Sequence, residues 1–148
     1  MKGNVIAVCR SLYRGKSKQP IDFGFFREHW GLIGDAHAGT VKEVSLLLKS
    51  HVDALARDTG MVLYPGAFAE NLLVSGLSQE NLVPGKLLRI EGSVLLIDKI
   101  GKEPNEAHSY RYHGYSLLPK FGVFTRVLRS GWVLPGNENH IIDFADSA

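Results

Sequence analysis

The stretch Lys86–Ile100, KLLRIEGSVLLIDKI, decides the fold. Two apolar runs, 86–90 and 93–100, flank the pair Glu91-Gly92. A two-residue break between β-favouring segments predicts a hairpin, with the glycine supplying the positive φ of a tight turn. The same grammar repeats outward. NVIAVC (4–9) is short, apolar and rich in β-branched residues, which predicts a buried strand. VFTRVLR (123–129) and WVL (132–134) flank Ser130-Gly131 and predict a second hairpin. Pro65-Gly66, Pro84-Gly85 and Pro135-Gly136 mark further turns, because proline presets φ and glycine accepts the left-handed position that follows. The clearest helical signal is LLLKSHVDALARDTGM (46–61). There Ser50 and Asp53 are spaced as a cap, Val52, Leu55 and Ala56 share a face, and Gly60 is a stop; Ser45 is the alternative start. Short strands, frequent turns and one or two short helices predict a mainly β fold, a closed or nearly closed barrel.

Composition narrows the class. At 148 residues, 45% hydrophobic and 22% charged, the chain is expected to form a single domain over 1–148. No run approaches the roughly 18 apolar residues that cross a bilayer, so neither a membrane span nor an export signal is expected, and a cytoplasmic location fits. The lone cysteine, Cys9, excludes an intrachain disulfide and any zinc or iron-sulfur site built from several cysteines of one chain. In an apolar strand it reads as a small core residue. A net charge of +2 is too small for strong attraction to nucleic acid, and no nucleic-acid partner is expected. The basic excess is local: residues 1–30 hold six Lys and Arg against two Asp and Glu.

Three stretches could carry chemistry. In GLIGDAHAG (31–39), Asp35 and His37 stand two apart among glycines, where they can hydrogen-bond one ligand or merely close a turn. In PGAFAENLLV (65–74), Glu70 and Asn71 sit among apolar residues, either as a hydrogen-bonded knot or as groups lining a pocket mouth. Residues 103–121, EPNEAHSYRYHGYSLLPKF, follow neither the two-residue nor the 3.6-residue rhythm and are expected to be a long functional loop. His108 and His113 are five apart and share no helical face, which argues against zinc.

Taken in order, GLIGDAHAG (31–39), VSLL (44–47), PGAFAENL (65–72), LVPGKLLRI (82–90), IGKE (100–103) and PKFGVFTRVLRSGWVLPGNE (119–138) resemble the MOSC family, named after the C-terminal domain of molybdenum cofactor sulfurases. The resemblance implies a strand-rich barrel and a role around the molybdenum cofactor, either sulfur delivery or binding of the pterin and its protein partners. Molybdenum ion and pyridoxal phosphate binding are associations of the family as a whole. In close relatives the segment matching IGKE continues with Cys, then His, then a second Cys three positions on; here those positions read Pro104, Asn105 and His108. None of these can form a persulfide, which needs a polarizable thiolate.

The reading that follows is a cofactor binder without covalent sulfur transfer, taking an anionic molybdopterin-type ligand. The motif match selects the positions and side-chain chemistry suggests the roles: Asp35 and His37 at the rim, Glu70 and Asn71 at the pterin edge, Lys102, Lys120 and Arg126 toward phosphate, with His108 in the altered cysteine segment. Two alternatives stand beside it. One is a sulfur carrier or molybdenum enzyme acting through Cys9. The other is an interaction module that meets cofactor-biosynthesis proteins or molybdoenzymes through SYRYHGY (109–115).

Overall fold

The computed structural model describes residues 1–102 and 110–144. In chain order the elements are β1 (Lys2–Arg10), β2 (Gln19–Ile21), β3 (Gly24–Arg27), β4 (Gly31–Leu32), β5 (Val44–Leu48), α1 (Lys49–Thr59), β6 (Leu72–Ser75), β7 (Leu87–Ile90), β8 (Ser93–Ile100), α2 (Leu118–Phe121), β9 (Val123–Arg129), β10 (Gly131–Val133) and β11 (Glu138–Ile142). A closed ring runs β1, β11, β7, β8, β9, β5, β6 and back to β1, with β2 attached to β1. A separate sheet holds β10, β3 and β4. The mainly β barrel expected from the turn spacing is what forms.

Within the ring one neighbouring pair is parallel, β5 with β6, and α1 lies between them in the chain. A parallel pair needs a crossover connection rather than a hairpin, and the segment carrying α1 supplies it. The helix begins one residue after β5 with Leu48 at its N-cap and no side-chain cap bond, so Ser50 lies inside the first turn instead of capping it. Asp53 bonds Lys49 at 2.9 Å, one turn back. Ser45 belongs to β5 and starts no helix. The run 44–48 is buried at every position; such a run has no period by which to separate strand from helix. Gly60 does end α1, at φ 74° with its N–H on the Ala56 carbonyl at 2.8 Å.

The hairpin of 86–100 forms, with Ile90 opposite Ser93, although Glu91 and not Gly92 takes the positive φ, at 51°. The second expected hairpin does not form. After β9 the chain turns away and β10 pairs with β3, Trp132 opposite Phe25. Trp132 there meets Phe23 and Phe25 edge-on at 5.4 and 5.1 Å between ring centroids, a packing gain that no local pattern announces. The described part of the long loop, residues 110–121, contains regular structure that its lack of rhythm does not suggest. Tyr112 and Tyr115 exchange backbone hydrogen bonds of 2.7 and 2.9 Å across His113 and Gly114, both at positive φ, and α2 follows. A two-residue turn and a four-residue helix are each too short to leave a periodic signature.

Alternation divides the strands between two apolar clusters. From β5, Val44, Leu46 and Leu48 join one cluster with Val5, Val8, Leu72, Val74, Leu95 and Val127. Leu47 joins the other with Ala7, Cys9, Phe68, Leu73, Leu118, Phe124 and Val52 of α1. On β1 a register shift between Val5 and Ala7 resets the alternation, which is why Val5 and Val8 share a face and Cys9 falls on the opposite one. This second face carries the site. Gly66 holds its approach to the barrel: at φ 87° its carbonyl accepts the Lys18 backbone N–H (2.9 Å), and a Cβ there would overlap the Lys18 carbonyl oxygen. Among the described residues no helix is long and apolar enough to cross a membrane.

Candidate functional site

Register places Ser45 of β5 directly opposite Phe124 of β9. Both line a cavity of about 440 Å³. Phe68 and Ala69, from the turn before β6, and Leu118 and Pro119, from α2, complete its apolar wall. The rim comes from three further segments: Arg14, Gly15 and Lys16 between β1 and β2; His37, Thr40, Val41 and Lys42 between β4 and β5; and Lys102 with Tyr110. Arg14, Lys16, Lys42 and Lys102 are cations, and among the described residues no carboxylate lines the cavity. The ammonium groups of Lys42 and Lys102 each lie 5.6 Å from the centroid of the Phe124 ring, within cation–π range. An apolar wall under a cationic rim suits a ligand with a flat ring and a negative charge.

Behind the rim is a buried ion pair. Lys18 Nζ lies 2.7 Å from Asp35 Oδ1, and both side chains are almost fully buried. Asp35 also accepts the backbone N–H of Ser11 and of His37, each at 3.1 Å. Lys18 Nζ is 3.4 Å from His37 Nδ1 as well. Burial first and the Lys18 charge second push the imidazole down to about 4, so His37 is neutral at neutral pH.

Glu70 and Asn71 form a second buried group. The Glu70 carboxylate accepts Gly66 N–H through Oε2 at 2.8 Å and Phe68 N–H through Oε1 at 3.1 Å. Its own burial pushes it up to about 7, against the pull of those N–H groups. Asn71 accepts the Ser45 N–H at 3.0 Å and donates to the Cys9 carbonyl at 3.1 Å, tying the turn to β5 and β1. Of the two readings open in the sequence, the hydrogen-bonded knot describes these bonds. Glu70 and Asn71 brace the residues that line the cavity without lining it themselves.

Of the other residues singled out from sequence, His37 and Lys102 line the cavity and Asp35 stands behind it. Lys120 and Arg126 do not line it: Lys120 lies over the Phe121 ring at 5.1 Å, and Arg126 Nη2 is 3.5 Å from Asp98 Oδ1. His108, Pro104 and Asn105 lie outside the described residues. Lys102 and Tyr110, which bracket that segment, both line the cavity. Cys9 is fully buried, and its thiol is pushed up to about 12, chiefly by burial and then by Glu70, which leaves no thiolate for sulfur chemistry at neutral pH. Tyr112 packs edge-on against Phe68, and among the described residues of the tyrosine-rich segment Arg111, His113, Gly114 and Tyr115 are exposed. Among the described residues no group of three or more His, Cys, Asp or Glu is placed to hold a metal ion. Sequence reasoning passed over Arg14, Lys16, Lys18 and Lys42; the basic excess of residues 1–30 was the trace of the first three.

Residues 34–139 match the family model of the MOSC domain. The chain belongs to the MOSC domain family. That family is linked to the molybdenum cofactor. Among solved structures, this MOSC domain is similar to the YUAD protein from Bacillus subtilis, at 17% identity over 97% of both chains with a TM-score of 0.75. It is also similar to YiiM from Geobacillus stearothermophilus, at 17% identity over 99% of this chain and 76% of that one, TM-score 0.69. YiiM from Escherichia coli stands at 21% identity over 97% and 70%, TM-score 0.68. At such identities the likeness is one of fold. No curated protein matches the chain.

Proposed function

We propose that this MOSC domain binds an anionic, ring-bearing cofactor of the molybdopterin type in the cavity between β5, β9 and α2, and does so without covalent sulfur transfer. The observation that carries the reading is the lining itself, with Arg14, Lys16, Lys42 and Lys102 around an apolar wall and no carboxylate among the described residues facing in. Lys42 and Lys102 are the groups suited to a phosphate, as point charges on flexible stems at the rim. Phe124 and Phe68 offer apolar area to a ring system, and Thr40, Ser45 and His37 offer hydrogen bonds at its edge.

The bound group would bring the metal and its redox chemistry; the chain supplies charge neutralisation, orientation and cover from water. Sulfur transfer is left out because Pro104, Asn105 and His108 carry no thiol and Cys9 is sealed in an apolar cluster. Titration calorimetry with isolated molybdopterin tests the reading: saturable binding in the micromolar range or tighter is expected. Absence of heat at high micromolar concentration would remove it.

A further inference from the structure

We infer that Lys18 is a positioning residue which, held by Asp35, fixes the His37 imidazole as a neutral hydrogen-bond donor to an anion in the cavity. The inference rests on the cavity being the binding site. Its basis is donor and acceptor accounting around one ring. An ammonium has three hydrogens and no acceptor, so the 3.4 Å contact between Lys18 Nζ and His37 Nδ1 requires Nδ1 to be the accepting nitrogen. The neutral ring then carries its proton on Nε2.

The competing arrangement, Nδ1–H donated to Asp35, lacks the geometry: Nδ1 is 3.8 Å from Asp35 Oδ2, and that oxygen already accepts the His37 backbone N–H at 3.1 Å. Lys18 has little freedom to withdraw, being bonded to Asp35 Oδ1 at 2.7 Å and almost wholly buried. Among the described residues the charged groups acting on His37 are Lys18, Lys102 and Arg14, which oppose its protonation, and Asp35, which favours it. Burial opposes protonation most. A ring so held donates from one nitrogen without taking up a proton, so it favours a phosphate that has lost its second proton and gains nothing in acid.

Nitrogen-15 NMR of the histidine-labelled protein, with and without inorganic phosphate, tests this. In the ligand-free wild type His37 is expected to show a bare Nδ1 and a protonated Nε2, and to stay neutral from pH 8 down to about pH 5. Lys18→Met alone strands the Asp35 charge and threatens folding, so the paired variant is Lys18→Met with Asp35→Asn. In it the ring is expected to titrate higher than in the wild type, because the Lys18 charge that opposes protonation outweighs the Asp35 charge that favours it. Phosphate affinity, which in the wild type falls steadily as the pH drops, is expected to level off or rise in acid in the double variant.

A proton on Nδ1, wild-type titration near the ordinary histidine value, or an unchanged titration in the double variant would each overturn the inference. If the double variant does not fold, the wild-type tautomer and titration decide. If phosphate fails to bind the wild type at any pH, the cavity reading fails, while the ligand-free spectra still decide the role of Lys18.

Discussion

Glu70→Ala is expected to lower the folding stability of this MOSC domain by about 4 kcal/mol. The carboxylate accepts the N–H groups of Gly66 and Phe68 inside a fully buried turn. Removing it strands both donors, at about 1–3 kcal/mol each, and opens a void besides. Glu70→Gln preserves the volume and one acceptor oxygen, so its cost is expected to be about half as large. The pH dependence has a definite sign. Glu70 is raised from an ordinary 4.5 to about 7 in the folded protein, so the native state holds its proton more tightly than the unfolded chain does. That contribution is fully present below the unfolded value and is lost as the pH rises through about 7. The cost of Glu70→Ala should therefore be larger at pH 5 than at pH 8. Urea unfolding at the two pH values measures it, and a loss below about 1 kcal/mol at both would show that the turn does not depend on Glu70.

The second large effect concerns the rim. Lys42→Glu combined with Lys102→Glu is expected to weaken binding of isolated molybdopterin by at least about a hundredfold, since two charge-assisted contacts become repulsions and each such contact is worth about 1.5–3 kcal/mol. Both lysines are half-buried at the cavity edge, so the variant should fold. The matched control is Lys120→Glu with Arg126→Glu, which makes the same change of net charge away from the cavity and is expected to alter affinity by less than about threefold, through screened long-range effects only. Equal losses in both variants would mean that affinity follows net charge and not the cavity lining.

The uneven legibility of this chain has a physical pattern. The Lys86–Ile100 hairpin could be read because its two strands are joined by the turn that pairs them. The partner of β10 could not, because Trp132 finds Phe25 across more than a hundred residues, and nothing near Ser130-Gly131 distinguishes a hairpin from a departure. The start of α1 was obscured by β5, whose residues are buried on both faces and therefore lose the alternation that marks a strand.

The site was visible as residue types more than as a place. Glu70 and Asn71 stood out as polar groups among apolar neighbours, yet only their partners, Gly66, Phe68, Ser45 and Cys9, distinguish a brace from a ligand contact. The cavity's cations come from residues 14–16, 42 and 102, segments with no sequence proximity. Lys18 reads in the sequence as one more lysine of a basic N-terminal stretch; its burial against Asp35 is a property of the closed barrel alone. Lys120 and Arg126 were attractive by charge and by motif, but Lys120 lies over the Phe121 ring and Arg126 beside Asp98, both outside the lining.

The central claim is that one cation-rimmed cavity on the β5–β9 face receives the anionic cofactor. A crystal structure of the protein soaked with molybdopterin tests it most directly. The account predicts ligand density against Phe124, with phosphate oxygens within hydrogen-bond reach of Lys42 and Lys102 and an acceptor atom facing His37 Nε2. Density settled on the Lys120 and Arg126 surface, or a cavity left empty beside a ligand bound elsewhere, would contradict it.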